Sequence, residues 1–280
     1  MNRLSTIKRA QVVAGLVEGN SINAVCRMTG VAKHTVLKLL VDMGEACAAY
    51  HDAHVRSLHC KRVQCDEIWS FVGAKMKNVR EEKIEEWGDV WTWTAIDADS
   101  KLIVSYLVGQ RGPRWAKAFM EDVASRIESR IQITTDGHKA YAEAVKGAFG
   151  MDCDYAMLIK LYGNDMHDRR YSAGDDCIGT QTAVLVGNPD PQHISTSFVE
   201  RQNLTMRMGM RRFTRLTNGF SKKIANHEAA IALHFMHYNF VRVHKTLRVT
   251  PAMEAGIASH VWSMEELVSL LDVKEIKAAA

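Results

Sequence analysis

"RVQCDEIWSFVGA", Arg62 to Ala74, is the stretch on which the fold turns. Its β-branched and aromatic residues predict a strand. Within it stands a carboxylate, Asp66, next to Cys65 and shortly before Ile68, Trp69 and Phe71. An ionised acid in such surroundings is unfavourable unless something compensates its lost hydration. Glu67, by the alternation of strand side chains, points to the opposite face and is not expected to share a ligand with Asp66.

Working toward the C-terminus, "DVWTWTAID" and "KLIVSYLVGQR" read as two further strands, joined by a turn at Ala98 to Ser100, and the three make an antiparallel meander. Trp69, Trp91 and Trp93 alternate along these strands as core residues. The segment between the first two, "EEKIEEWGD", carries five acids and reads as a solvated hairpin loop. "RWAKAFMEDVASRI" then places Trp115, Phe119, Val123 and Ile127 on one helical face. "IQITTDG" is a short buried strand, "HKAYAEAVKGAF" a helix and "CDYAMLIKLYG" another strand. Pattern alone therefore predicts a mixed α/β domain. From Gly163 to Gln192 the chain turns polar and reads as a long loop or insertion. "STSFVERQNLTMRMGMRR" follows as an amphipathic helix, and "SKKIANHEAAIALHFMHYNFVRVH" as a long one capped by Ser221. "SMEELVSLLDVKEI" adds a terminal helix, its leucine face packing either on this chain or on a partner.

Toward the N-terminus the pattern is helical. Ser5 caps a helix in "STIKRAQVVAGLVEGN" that stops at Gly19-Asn20, and Ser21 caps a second helix that ends at Thr29-Gly30. A third begins near Ala32 and continues as a helical connector to about His59. Cys26, Gly30 and Val36 have the spacing of a helix-turn-helix, with the glycine at a turn that favours positive φ. In that reading Lys33, His34, Thr35 and Lys38 project toward a major groove and its phosphates. Any three-helix cap can show the same spacing.

The 280 residues allow one or two domains. The net charge of +4 does not by itself indicate nucleic-acid binding, but its distribution is uneven. From Arg201 to His227 there is no acid, while Arg201, Arg207, Arg211, Arg212, Arg215, Lys222 and Lys223 are all cationic. The six cysteines form no CxxC pair, so neither a zinc site nor a disulfide framework is expected. No apolar run suits a membrane span, and the start lacks the apolar core of a signal peptide, so the expected location is the cytoplasm.

Three acids invite a joint reading. Asp66 lies inside a strand, Asp136 ends one, and Glu200 stands one turn into the helix after the long loop, at the head of the acid-free basic run. Glu200, Asn203 and Arg207 recur at i, i+3 and i+7, so one stripe carries a carboxylate, an amide and a guanidinium. Taken singly, each acid has a plainer reading: a hydrogen-bonded buried acid, a helix cap, an ion pair with Arg201 or Arg207. His138 and Lys139, just past Asp136, and His193, His237 and His244 read equally as DNA contacts or as ordinary surface and core cover.

"CDEIWSF", "TTDGHKAY", "TSFVERQNLTMRMGMRRFTRLTNGFSKK" and "HYNFVRVHKTLRVTPAMEAG" together resemble the DDE transposases of bacterial insertion sequences, specifically the IS-one family. The resemblance covers nearly everything from Lys61 to Gly256. It implies a ribonuclease-H-like catalytic domain over residues 61–256, with mixed sheet and flanking helices. Before it would lie an all-α helix-turn-helix domain over 1–50 and a connector over 51–60; a helical tail would occupy 257–280. It implies Asp66, Asp136 and Glu200 as catalytic and metal-ligating residues for Mg²⁺, or Mn²⁺ in its place. Asn203, Arg207, Arg211, Arg212, Arg215, Lys222 and Lys223 would join the helix-turn-helix residues in contacting DNA.

The chemistry implied is cleavage and strand transfer at the terminal inverted repeats of an insertion sequence, with target DNA as second substrate. The chain would act as a homo-oligomer in the bacterial cytoplasm, on the nucleoid when bound. Two other readings are a non-catalytic regulator descended from a transposase and a ribonuclease-H-like nuclease without strand transfer. Members of the family often carry a zinc-binding segment ahead of the helix-turn-helix, which these cysteines do not supply. Clustered acids without metal repel one another, so at least one pKa is expected to rise.

Overall fold

A computed structural model describes residues 4–163, 176–214 and 217–279. The deciding stretch is strand β1 (Arg62–Val72), and it lies inside a six-stranded sheet. The others are β2 (Gly88–Asp97), β3 (Ile103–Gly109), β4 (Ile131–Asp136), β5 (Cys153–Gly163) and β6 (Asp176–Val186), in the order β3-β2-β1-β4-β5-β6. β1, β2 and β3 form the antiparallel meander, β4 and β5 run parallel to β1, and β6 returns antiparallel to β5. A mixed sheet in this order, flanked by helices, is compatible with a ribonuclease-H-like fold.

β6 corrects the reading of 163–192 as loop: its second half is mostly strand, and residues 164–175 lie outside those described. As the edge strand it leaves Ile178, Val184 and Leu185 largely exposed. Without a buried face it shows no alternating pattern for the sequence to reveal.

Alternation along β1 sorts the two layers. α4 (Pro113–Arg126) and α5 (Ala140–Phe149) cover one face around Trp93, Phe119 and Tyr141, all three fully buried. The other face is covered by α6 (Ser197–Gly209) and α7 (Ile224–Met236). There Gln64 accepts hydrogen bonds from the Phe198 and Val199 amides, and Ser70 meets His227. Of the three tryptophans, only Trp93 is fully buried; Trp69 and Trp91 pair across β1 and β2 with partial exposure.

α7 starts at Ile224, later than expected, and Ser221 does not cap it. Ser221 Oγ instead accepts from Arg212 Nε at 2.7 Å and lies 3.3 Å from His227 Nδ1. The helix also ends early, in a π-helical turn over His237–Val241.

At the N-terminus α1 (Thr6–Val17) and α2 (Ile22–Thr29) are capped by Ser5 and Ser21, and Gly30 turns the chain with φ 68. α3 (Lys33–His54) then runs without a break into the body of the protein. It packs on α7, most closely where Gly44 meets Ala229, and His51 Nε2 meets the Ile103 carbonyl of β3. The terminal helix α8 (Met264–Ala279) packs on this chain's own α1 and α3, burying Leu267 and Val268, with Arg9 of α1 paired to Asp272. Among the described residues no helix is long and apolar enough to cross a membrane.

Candidate functional site

Asp66 points from β1 toward α6, where Asn203 Nδ2 donates to its Oδ2 at 2.8 Å. Its Oδ1 accepts the Glu67 amide, also at 2.8 Å. Asp136 is the last residue of β4, its Oδ1 accepting the His138 amide at 3.0 Å as the chain turns toward α5. Pairing between β1 and β4 ends at Cys65 and Thr135, so the two aspartates come together where the parallel strands part. Ends of parallel strands gather ligands because the diverging connections leave a crevice there.

The parting of the strands also brings in an unexpected acid. Glu67 does lie on the opposite face from Asp66, donated to by Tyr141 Oη of α5 at 3.0 Å and by Arg111 Nε at 2.5 Å. Yet one carboxylate oxygen each from Asp66, Glu67 and Asp136 lies within 4.8 Å of the others. β2 continues beside β1 at this level, but on the β4 side no strand is paired beyond Cys65, so along that edge nothing separates the two faces and Glu67 reaches round to the aspartates. Alternation alone therefore does not keep Glu67 apart from the aspartates.

Three converging carboxylates carry more negative charge than the single guanidinium of Arg111 beside them offsets. Burial, then the charges of Asp136 and Glu67, with a smaller push from Glu200, raise the Asp66 carboxyl to about 7. Glu67 is raised by its burial and by Asp136, and Arg111 and Tyr141 partly offset this. Arg111 also approaches Asp136, at 3.8 Å, and so bridges two of the acids. Asn203 is nine-tenths buried, and its Oδ1 has no partner.

Glu200 lines the same cleft from α6 but stands outside the tight cluster. Lys160 of β5 holds its Oε1 at 2.6 Å, and Thr196 donates to the same oxygen. Arg111 and Lys160 had no part in the sequence reading. The available signals were a single cation in the apolar strand "CDYAMLIKLYG" and an arginine at the mouth of a strand before "GP".

The residues expected on DNA are distributed differently. Lys33, His34 and Lys38 are exposed on the first turns of α3, with Thr35 partly so. Arg211, Lys222 and Lys223 are exposed, and Arg207 is half-buried one turn beyond Asn203. Asn203 itself is buried against Asp66, so its amide serves the carboxylates and presents no surface to a duplex. Arg212 is mostly enclosed, bonded to Ser221, its pKa lowered to about 10 by burial. Arg215 lies outside the described residues.

No family model and no curated protein matches the chain. Among solved structures it is similar to piggyBac transposase in a cryo-EM synaptic complex with hairpin DNA. That match has 10% identity and a TM-score of 0.40, and it covers 98% of this chain and 72% of that one.

Proposed function

We propose that the chain is a DNA transposase of the DDE type, cleaving and joining DNA with Mg²⁺ at the cleft of Asp66, Asp136 and Glu200. The observation that carries this reading is the convergence of carboxylate oxygens within 4.8 Å at the parted ends of β1 and β4, with a third element, α6, bringing Glu200 to the same cleft. Hard divalent cations prefer such all-oxygen donors. The raised Asp66 carboxyl and the unpartnered Asn203 Oδ1 both mark an environment that a cation would balance. Asp66 and Asp136 would hold it, with Glu67 and Glu200 on either side. When bound, the metal supplies charge stabilisation at the scissile phosphate and an acidified oxygen nucleophile.

The remaining residues have roles of their own. Asn203 fixes the rotamer of Asp66 through its amide hydrogen bond. Arg111 and Lys160 neutralise carboxylates now and stand at the cleft to meet phosphate oxygens once DNA is present. Lys139, exposed past Asp136, adds to the same field. In the N-terminal helices, α2, the Gly30 turn and the exposed start of α3 would read the ends of an insertion sequence with Lys33, His34, Thr35 and Lys38. A homo-oligomer working on the nucleoid follows, because two ends must be joined to one target.

The test is Mg²⁺-dependent cleavage and strand transfer on supercoiled DNA carrying the flanking ends, comparing wild type with Glu200→Gln. Cleavage and joining by the wild type, and a loss of at least ~100-fold in the variant with DNA binding intact, is the expected result for a ligand or proton-handling carboxylate. Cleavage without joining would identify a nuclease. Undiminished activity of the variant would remove Glu200 from the site.

A further inference from the structure

Beside the carboxylate cleft, and separate from it, lies an open groove of about 700 Å³ whose lining includes Trp69, Phe71, Lys75, Arg207, Arg212 and Phe213. The Trp69 and Phe71 ring centroids are 5.8 Å apart, and Phe220 continues the row 5.0 Å beyond Phe71. All three rings are half-buried. Lys75 Nζ stands 5.6 Å from the centre of the Trp69 ring. None of the described residues lining the groove is acidic.

Aromatic faces beside cations suit one ligand class better than others. A purely apolar groove would fit a protein segment, and cations without rings would fit the phosphates of any duplex. Rings and cations together match an unpaired nucleotide, whose base can stack while its phosphate meets the charges. Bases inside a duplex have no free face to offer. Position supports the same ligand: Trp69 lies on the face of Glu67, which reaches the carboxylate cluster, and follows it by two residues on β1, about 7 Å along the strand. Arg207 follows Asn203 by about one turn of α6, roughly 6 Å. Arg212 is a fixed charge, its Nε held by Ser221.

We propose that this groove takes an unpaired nucleotide of the DNA strand adjoining the carboxylate cleft, its base stacked on Trp69 and Phe71 and its phosphate against Lys75 and Arg207. The inference rests on the reading of the chain as a DNA-handling protein. It does not require that the cleft cut DNA.

The test is equilibrium binding, in EDTA, of a short oligothymidylate and of an abasic deoxyribose-phosphate oligomer of the same length and charge. The wild type is expected to prefer the base-bearing strand by between about 5- and 150-fold, the range for stacking of one base. Trp69→Leu should abolish the preference while retaining affinity for the abasic strand, and Lys75→Ala should weaken both probes alike. Phe71→Leu provides the same readout if Trp69→Leu melts well below the wild type. Equal wild-type affinity for the two probes, or a preference that survives in both folded ring variants, overturns the proposal. A preference that holds in a protein unable to cleave or join DNA would leave the groove standing and remove the enzymatic reading instead.

Discussion

Asp66 carries the electrostatic tension of the molecule at the scale of one residue. Its carboxyl is raised from 3.8 to about 7, so between those values the folded chain keeps a proton that the unfolded chain loses. Stability contributed by that proton is complete below about pH 4 and is lost as pH rises through 7. At about 1.36 kcal/mol per pKa unit, the penalty at pH 8 is at most about 4 kcal/mol. Asp66→Asn, which still offers an oxygen to Asn203, should therefore unfold at higher denaturant than wild type at pH 8 in EDTA. The two should converge near pH 4. A variant that is no more stable at pH 8 would mean that Arg111 and its neighbours already balance the cluster. Added Mg²⁺ should raise the wild-type midpoint and leave that of the variant nearly unchanged.

At the scale of elements, the crossing of α3 and α7 depends on a missing methyl group. A Cβ at Gly44 would stand 2.3 Å from the Ala229 Cα, a backbone atom that cannot turn aside. Gly to Ala inside a helix ordinarily stabilises by roughly 0.5–1 kcal/mol. Here the sign should invert: Gly44→Ala is expected to lose about 1–3 kcal/mol by overpacking. Gly147→Ala in α5, with nothing within 4 Å of the added carbon, should gain the ordinary increment. Thermal melts of the pair test this, and a stabilised Gly44→Ala would mean that the helices separate freely. The consequence reaches the site, because α7 shares its face of the sheet with α6, which carries Glu200 and Asn203.

Across the whole molecule, the helical layers bury His51, His227 and His234 in places that disfavour their charged forms. Burial first, then nearby cations, lowers His51 to about 4 and both His227 and His234 to about 3. A histidine with a depressed folded pKa is neutral in the fold and protonates on unfolding as pH falls below 6.5. Its contribution is present above 6.5 and lost between there and about 3. Three such groups outweigh the opposite trend of Asp66, so the denaturation midpoint should fall as pH drops from 6.5 toward 4. Both ring nitrogens of His234 are unpartnered, and His234→Phe should flatten the profile most visibly. A midpoint independent of pH over that interval would count against neutral burial of all three.

Sequence alone was enough for what local chemistry controls. Alternation and β-branching marked β1 to β5, Ser5 and Ser21 marked helix starts, and Gly30 marked a turn. Asp66, Asp136 and Glu200 stood out as acids where acids are unfavourable or form a lone exception. What it did not contain is how strands end relative to one another. Alternation set Glu67 on the opposite face from Asp66, and its carboxylate still reaches the cluster because β4 stops beside β1 and opens a path between the two faces. Lys160 meets Glu200 only because β5 and α6 converge, and Asn203, read as a DNA contact, turned inward to Asp66 because α6 packs on β1. β6 was invisible because an edge strand without a buried face has no period. Residue type and spacing thus singled out candidate groups, while the tertiary structure decided which of them meet and which others join them, since convergence depends on register and packing between segments far apart in the chain.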